Sequence, residues 1–153
     1  NLAVSFAQVG GRTLLIDADL RGPRQHEVFS VSNSAGLSSL LAGHIDSQVI
    51  QQVPGVPGLF VMPVGITPPN PLELIERSTF GVLLRELTSK FDHVIVDTPA
   101  AIFGVDAHVV AARCGAALVV ARKDESRVGA LQQLVAALSG NPVRVVGVVL
   151  NEY

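Results

Sequence analysis

The chain has 153 residues, the size of one ordinary domain, with 48% hydrophobic residues and a net charge of −2. That charge gives no footing for nonspecific nucleic-acid binding. The single cysteine excludes an internal disulfide, and no apolar run reaches the roughly 18 residues of a membrane span. A mean hydropathy of +0.45 favours a sheet covered on both faces, with strands apolar throughout.

Leu2, Val4, Phe6 and Ala7 predict the end of a helix over residues 1–8, stopped by Gly10-Gly11. Thr13–Ile16 reads as the first strand and Gly22-Pro23 as a break. Gly36 to Gly43 reads as a short helix bounded by glycines, with another turn over Ile45 to Val49. Pro54, Gly55, Pro57 and Gly58 predict a loop before a strand over Leu59–Pro63. Pro71 suits the first position of a helix, with Asn70 as its cap. Phe80, Leu83, Leu84 and Leu87 then share one helical face. Val94–Val96 is a strand, Ala107 to Ala112 a helix and Ala116–Ala121 a wholly apolar strand. A helix over Val128 to Leu138 turns Leu131, Leu134, Val135 and Leu138 inward, and Val143–Leu150 is the last strand. Strands alternating with helices argue for parallel pairing through right-handed crossovers.

Two strands end in acid. Thr13–Ile16 runs into Asp17-Ala18-Asp19-Leu20-Arg21, and Val94-Ile95-Val96 runs into Asp97-Thr98-Pro99. Like charges about 6–7 Å apart along an extended chain repel unless a cation sits between them. Parallel strands that both deliver Asp to their carboxyl ends make a hard-cation site where α/β sheets bind ligands. One carboxylate can hold Mg²⁺, directly or through water, while the other accepts a proton from an incoming hydroxyl. Asp97 after three β-branched residues is the Walker-B pattern.

Here the residues carry a resemblance. Leu14 to Arg21 resembles the Walker A′ motif of the deviant P-loop ATPases, and more closely the bacterial tyrosine kinases of capsular and exopolysaccharide export, of the chain-length-determinant type. Arg21-Gly22-Pro23-Arg24-Gln25-His26-Glu27-Val28-Phe29, Asn33 to Gly43, Asn70-Pro71-Leu72-Glu73-Leu74, Phe91 to Pro99 and Asp106-Ala107 match further stretches of that family. The resemblance implies a doubly wound, mostly parallel α/β sheet of the P-loop type in three αβα layers, as a single domain over 1–153. It implies a Mg²⁺- and ATP-dependent protein tyrosine kinase, autophosphorylating and acting on other proteins, that regulates polysaccharide polymerisation and export. Asp17 would be the base, Asp19 a Mg²⁺ ligand and Asp97 a metal or water holder, with Arg21 a further catalytic residue and all three carboxylates candidates for the metal. The implied partners are a membrane chain-length-determinant adaptor, protein tyrosine substrates and further copies of the chain, with no nucleic acid. The implied place is the cytoplasm, at the inner membrane through the adaptor.

There are departures. Asn1 is not an initiator methionine, and Asn1-Leu2-Ala3 resembles the helix that directly follows the family's phosphate-binding Walker A loop. The sequence is therefore expected to be part of a longer product and to bind ATP poorly alone. Ala100 stands where the family has a second proline. Tyr153 is the only tyrosine, so other proteins are the expected chief substrates. Asn151 either reads an adenine edge, as in relatives, or simply ends a strand, and Arg122 either meets phosphate or lies in solvent. Both are carried as candidates for nucleotide contact. The four histidines show no metal-ligand spacing, and Cys114 has no partner that would mark a nucleophile. The rival readings are a partitioning or septum-positioning ATPase of the same superfamily and a degenerate scaffold of the export complex.

Overall fold

A computed structural model describes residues 1–44, 48–140 and 142–152. The start of the turn expected over Ile45 to Val49, and Tyr153, lie outside them. The described chain divides into two compact units, Asn1–Ala100 and Ala101 onward.

The first unit is built around β1 (Thr13–Asp17). Its side chains alternate between two faces, and all five residues are buried. On one face Leu15 packs with Ala3 and Ala7 of α1 (Leu2–Val9) and with Val53, Leu59 and Val61. The sheet order is β2 (Gln51–Gln52), β3 (Leu59–Met62), β1, then β4 (His93–Asp97). Both β3 and β4 run parallel to β1, whereas the two-residue β2, which no sequence signal marks, is antiparallel to β3. The chain thus passes from β1 to β3 on one side and returns to β4 on the other, which sends the carboxyl ends of β1, β3 and β4 to one edge.

Short helices α2 (Gln25–Val28) and α3 (Leu37–Leu41) lie between β1 and β2. Helices α4 (Pro71–Glu76) and α5 (Ser78–Lys90) lie between β3 and β4. Pro71 takes the first position of α4 as expected. Asn70 stands at the cap position, but its side chain makes no capping bond and turns to Glu73. Phe80, Leu84 and Leu87 of α5 are buried. At the other end of the strands, the Arg12 guanidinium lies over Phe91, 4.8 Å from the ring centroid, and over Phe60 at 5.3 Å.

The second unit holds a 3₁₀ turn (Ala101–Phe103), α6 (Asp106–Cys114), β5 (Ala116–Arg122), α7 (Val128–Ser139) and β6 (Arg144–Asn151). Strands β5 and β6 pair parallel, with a register shift between Ala117 and Leu118. Ala111, Val119, Leu138 and Val143 form its core, with Leu131, Leu134 and Val135 packed against it. The expectation of strands covered on both faces is met by β1 but not here. The helices cover one face, and Val120, Val146 and Leu150 remain exposed.

Candidate active site

The register fixes the site. Strands β1 and β4 pair rung by rung from Thr13↔His93 to Asp17↔Asp97. Both strand-end carboxylates therefore leave adjacent strands at the same level. One more ladder bond, from the Ala18 N–H to the Asp97 carbonyl oxygen at 2.8 Å, carries the pairing past the strand end.

Asp17 is fully buried. Its Oδ1 accepts the Asp19 N–H at 3.1 Å, and its Oδ2 accepts the N–H groups of Arg24 at 3.1 Å and Gln25 at 3.0 Å. One carboxylate thus closes the loop over residues 18–25 across the strand end. Burial pushes its carboxyl above the ordinary carboxylate range and the charge of Asp97 pushes the same way, while the three backbone donors oppose them.

Asp19 is half-buried. Its Oδ1 accepts the N–H groups of Gly22 at 2.9 Å and Arg21 at 3.2 Å, a local turn that reverses the chain ahead of Pro23. Arg21 itself is exposed. Asp97 is half-buried, and its Oδ2 accepts the Gln25 side-chain N–H at 2.7 Å. Burial raises its carboxyl as well, with the Asp19 charge adding to the shift and Gln25 opposing it.

These donors suit a hard cation, but not as a cage. Among the described residues no three His, Cys, Asp or Glu side chains stand together as a metal-binding group. Mg²⁺ is commonly held by one or two carboxylates, with water and phosphate completing its octahedron. Asp19 and Asp97, both partly open, fit that role. Asp17 fits it less well, because three of the roughly four lone-pair positions on its carboxylate already carry backbone N–H groups.

The same edge carries a second feature. The Asn33 Oδ1 accepts the Gly65 N–H at 2.8 Å, the Leu37 N–H donates to the Pro63 carbonyl at 2.8 Å, and the Ser38 N–H donates to that of Val64 at 2.9 Å. The Ser38 hydroxyl donates to the Ile66 carbonyl at 2.7 Å. The stretch from Asn33 to Gly43, read from sequence only as a motif with a short helix, is a clasp on the chain leaving β3. Gly36 permits it, since a Cβ there would run into the Pro63 carbonyl. Sequence reading missed this clasp and the bridging role of Gln25. Gln25 and Asn33 stood in the sequence only as members of stretches matched to the family, and Gly36 as the boundary of a short helix, with no contact assigned to any of them.

In the second unit, Arg122 and Asn151 share the last rung of the β5–β6 ladder. The Arg122 guanidinium pairs with Glu125 at 2.9 Å, and the Lys123 N–H donates to the Asn151 carbonyl at 2.9 Å. Cys114 ends α6 exposed, with its thiol pushed up to about 11 by burial of the sulfur, the opposite of an activated nucleophile. No helix among the described residues is long and apolar enough to cross a membrane.

No family model matches the chain. Among curated proteins it is 36% identical over 152 residues to the tyrosine-protein kinase ptk of Acinetobacter johnsonii, spanning 99% of this chain and 21% of that protein. It is 31% identical over 153 residues to the tyrosine-protein kinase CpsD of Streptococcus agalactiae, spanning 99% of this chain and 67% of that protein. Among solved structures, the chimerical protein CapA2B2 superposes with a TM-score of 0.92 at 34% identity, over 100% of this chain and 68% of that one. The cell-division ATPase MinD of Pyrococcus furiosus, at 23% identity and a TM-score of 0.83 over 99% of this chain and 64% of that one, shares the P-loop α/β fold.

Proposed function

The chain belongs to the bacterial tyrosine kinases, and we propose that it supplies the carboxylate side of a Mg²⁺- and ATP-dependent site that phosphorylates protein tyrosine. The observation that carries this reading is the shared rung of Asp17 and Asp97 with Asp19 beside it. Phosphoryl transfer asks little covalent chemistry of the protein. It needs a metal to offset charge on the phosphate oxygens and a group that receives the hydroxyl proton.

In this reading Asp19 and Asp97 hold Mg²⁺, and Asp17 accepts the tyrosine proton. Burial suits Asp17 to that task, because a raised carboxyl is a better proton acceptor near neutral pH. It also sets a condition. Asp17 has no exposed surface, so the loop over residues 18–25 must yield before a hydroxyl reaches it. Arg21, exposed on that loop, is proposed to meet phosphate or substrate when the loop moves. Arg122 and Asn151 are proposed nucleotide contacts. The Glu125 pairing leaves Arg122 a partner to exchange for phosphate.

The polysaccharide role, the membrane adaptor, assembly of several copies and a place at the inner membrane are proposals that rest on family membership. The partitioning ATPase shares the fold, but the stretches Arg21-Gly22-Pro23 and Asn70-Pro71-Leu72-Glu73 favour the kinase. The two strand-end acids Asp17 and Asp97, with Asp19 beside them, weigh against a scaffold without catalysis.

The test is to incubate the full-length gene product with labelled ATP, Mg²⁺ and a tyrosine-containing polypeptide. Label on tyrosine supports the reading. ATP hydrolysis without transfer would favour the ATPase, and absence of nucleotide binding would favour the scaffold.

A further inference from the structure

We propose that Gln25 is a positioning residue for the cation site, holding the Asp97 carboxylate in the orientation that receives a divalent metal or its bound water. The inference rests on the metal-site reading above and adds a residue that acts through the Asp97 carboxylate. Gln25 opens α2 and reaches both strand ends at once. Its backbone N–H donates to the Asp17 Oδ2 at 3.0 Å, and its side-chain Nε2 donates to the Asp97 Oδ2 at 2.7 Å.

The two bonds separate cleanly. The backbone bond survives any side-chain change, so the loop stays pinned on Asp17 whatever stands at position 25. The side-chain bond belongs to the amide alone. An ionised carboxylate only accepts hydrogen bonds, so the amide presents its N–H and turns its carbonyl oxygen away. That bond occupies one lone pair of Oδ2 and fixes the carboxylate plane, with the Thr98 N–H also donating to the group. Without the amide, the Asp97 Oδ2 loses its side-chain donor, and with it the bond that holds the carboxylate plane. Partners that orient a metal-binding group in this way typically change affinity or activity by about 10–100-fold when removed.

The experiment compares the full-length gene product with its Gln25→Met and Gln25→Asn variants. Met keeps the length and removes the donor, while Asn keeps the amide but falls one methylene short. Mn²⁺ is titrated at saturating ADP, with free Mn²⁺ followed by electron paramagnetic resonance. The apparent Kd is expected to rise about 10–100-fold at a Tm close to that of the wild type. The Mg²⁺ concentration for half-maximal phosphotransfer should rise with it, while KM for ATP at saturating Mg²⁺ stays put. Unchanged Mn²⁺ affinity in whichever variant keeps the wild-type Tm overturns the role of Gln25 and leaves the metal site standing. Failure of the wild type to bind Mn²⁺ overturns the metal-site reading, and this inference with it.

Discussion

Asp17 and Asp97 stand opposite each other on the last rung of the β1–β4 ladder, two carboxyls raised by burial and linked through Gln25. Adjacent strands lie about 4.8 Å apart, so the two groups feel each other's charge. A fold built only for stability gains nothing from that arrangement. A site that awaits a divalent cation does, because the cation offsets both charges when it arrives.

Stability should therefore fall as the pH rises across the acid range. A carboxyl whose folded pKa exceeds its unfolded value contributes stability that is full below the unfolded value, near 3.9, and is lost as the pH rises through the folded pKa. Each unit of elevation removes about 1.4 kcal/mol at neutral pH. The Asp97→Asn variant keeps an acceptor for Gln25 and sheds the charge. It should melt higher than the wild type at pH 7, with the gain shrinking toward pH 4. Mg²⁺ should raise the wild-type Tm at pH 7 and leave the variant nearly unmoved. Scanning calorimetry at both pH values decides this, and an equal difference at pH 4 and pH 7 would count against the assigned shift.

The clasp at the end of β3 gives a purely structural prediction. In Gly36→Ala the new methyl group meets the Pro63 carbonyl, so the chain must shift, at a cost of about 1–3 kcal/mol. Asn33→Ala strips the acceptor from the Gly65 N–H and should cost about 1–3 kcal/mol. Urea denaturation would measure both. Losses below about 0.5 kcal/mol would mean that the clasp is not a stabilising element.

Cys114 should be slow to alkylate despite its exposure. A thiol pushed up to about 11 is ionised on the order of 10²-fold less at pH 8 than a free cysteine near 8.5. The iodoacetamide rate of the folded chain, set against that of the chain in urea, checks this. Equal rates would show that the sulfur is not held in a protein environment.

Legibility from sequence followed the periodic elements. Strand β1, α5 and α7 announce themselves by apolar runs or a repeated apolar face, because burial forces those patterns. The acids at the strand ends were legible because charge directly after an apolar strand conflicts with burial and asks for a cause. Strand β2, Gln51–Gln52, was not, since two glutamines on a sheet edge are placed by their neighbour and not by propensity. The side-chain bond from Gln25 to Asp97 spans 72 positions, and no local pattern encodes a contact at that distance. The capping bond expected of Asn70 failed because Glu73 offers its side chain a competing charged partner.

Asp17 and Asp19 should separate by kinetics. Asp17→Asn in the full-length gene product removes the proposed base, and a general base typically contributes about 10²–10⁴-fold. It also places an amide N–H₂ where backbone donors now point, so the loop over residues 18–25 should loosen. Asp19→Asn keeps an oxygen for the N–H groups of Arg21 and Gly22 and loses only charge. Its defect should be a raised Mg²⁺ requirement, with turnover largely recovered at high Mg²⁺. Initial rates of tyrosine phosphorylation across a Mg²⁺ series, with a Tm for each variant, distinguish the two. Turnover recovered by Mg²⁺ in Asp17→Asn would make Asp17 a metal-site residue and not a base. A Tm drop large enough to unfold Asp17→Asn at the assay temperature would be met by assaying at lower temperature, where a turnover deficit below about 10-fold would end the proposed role.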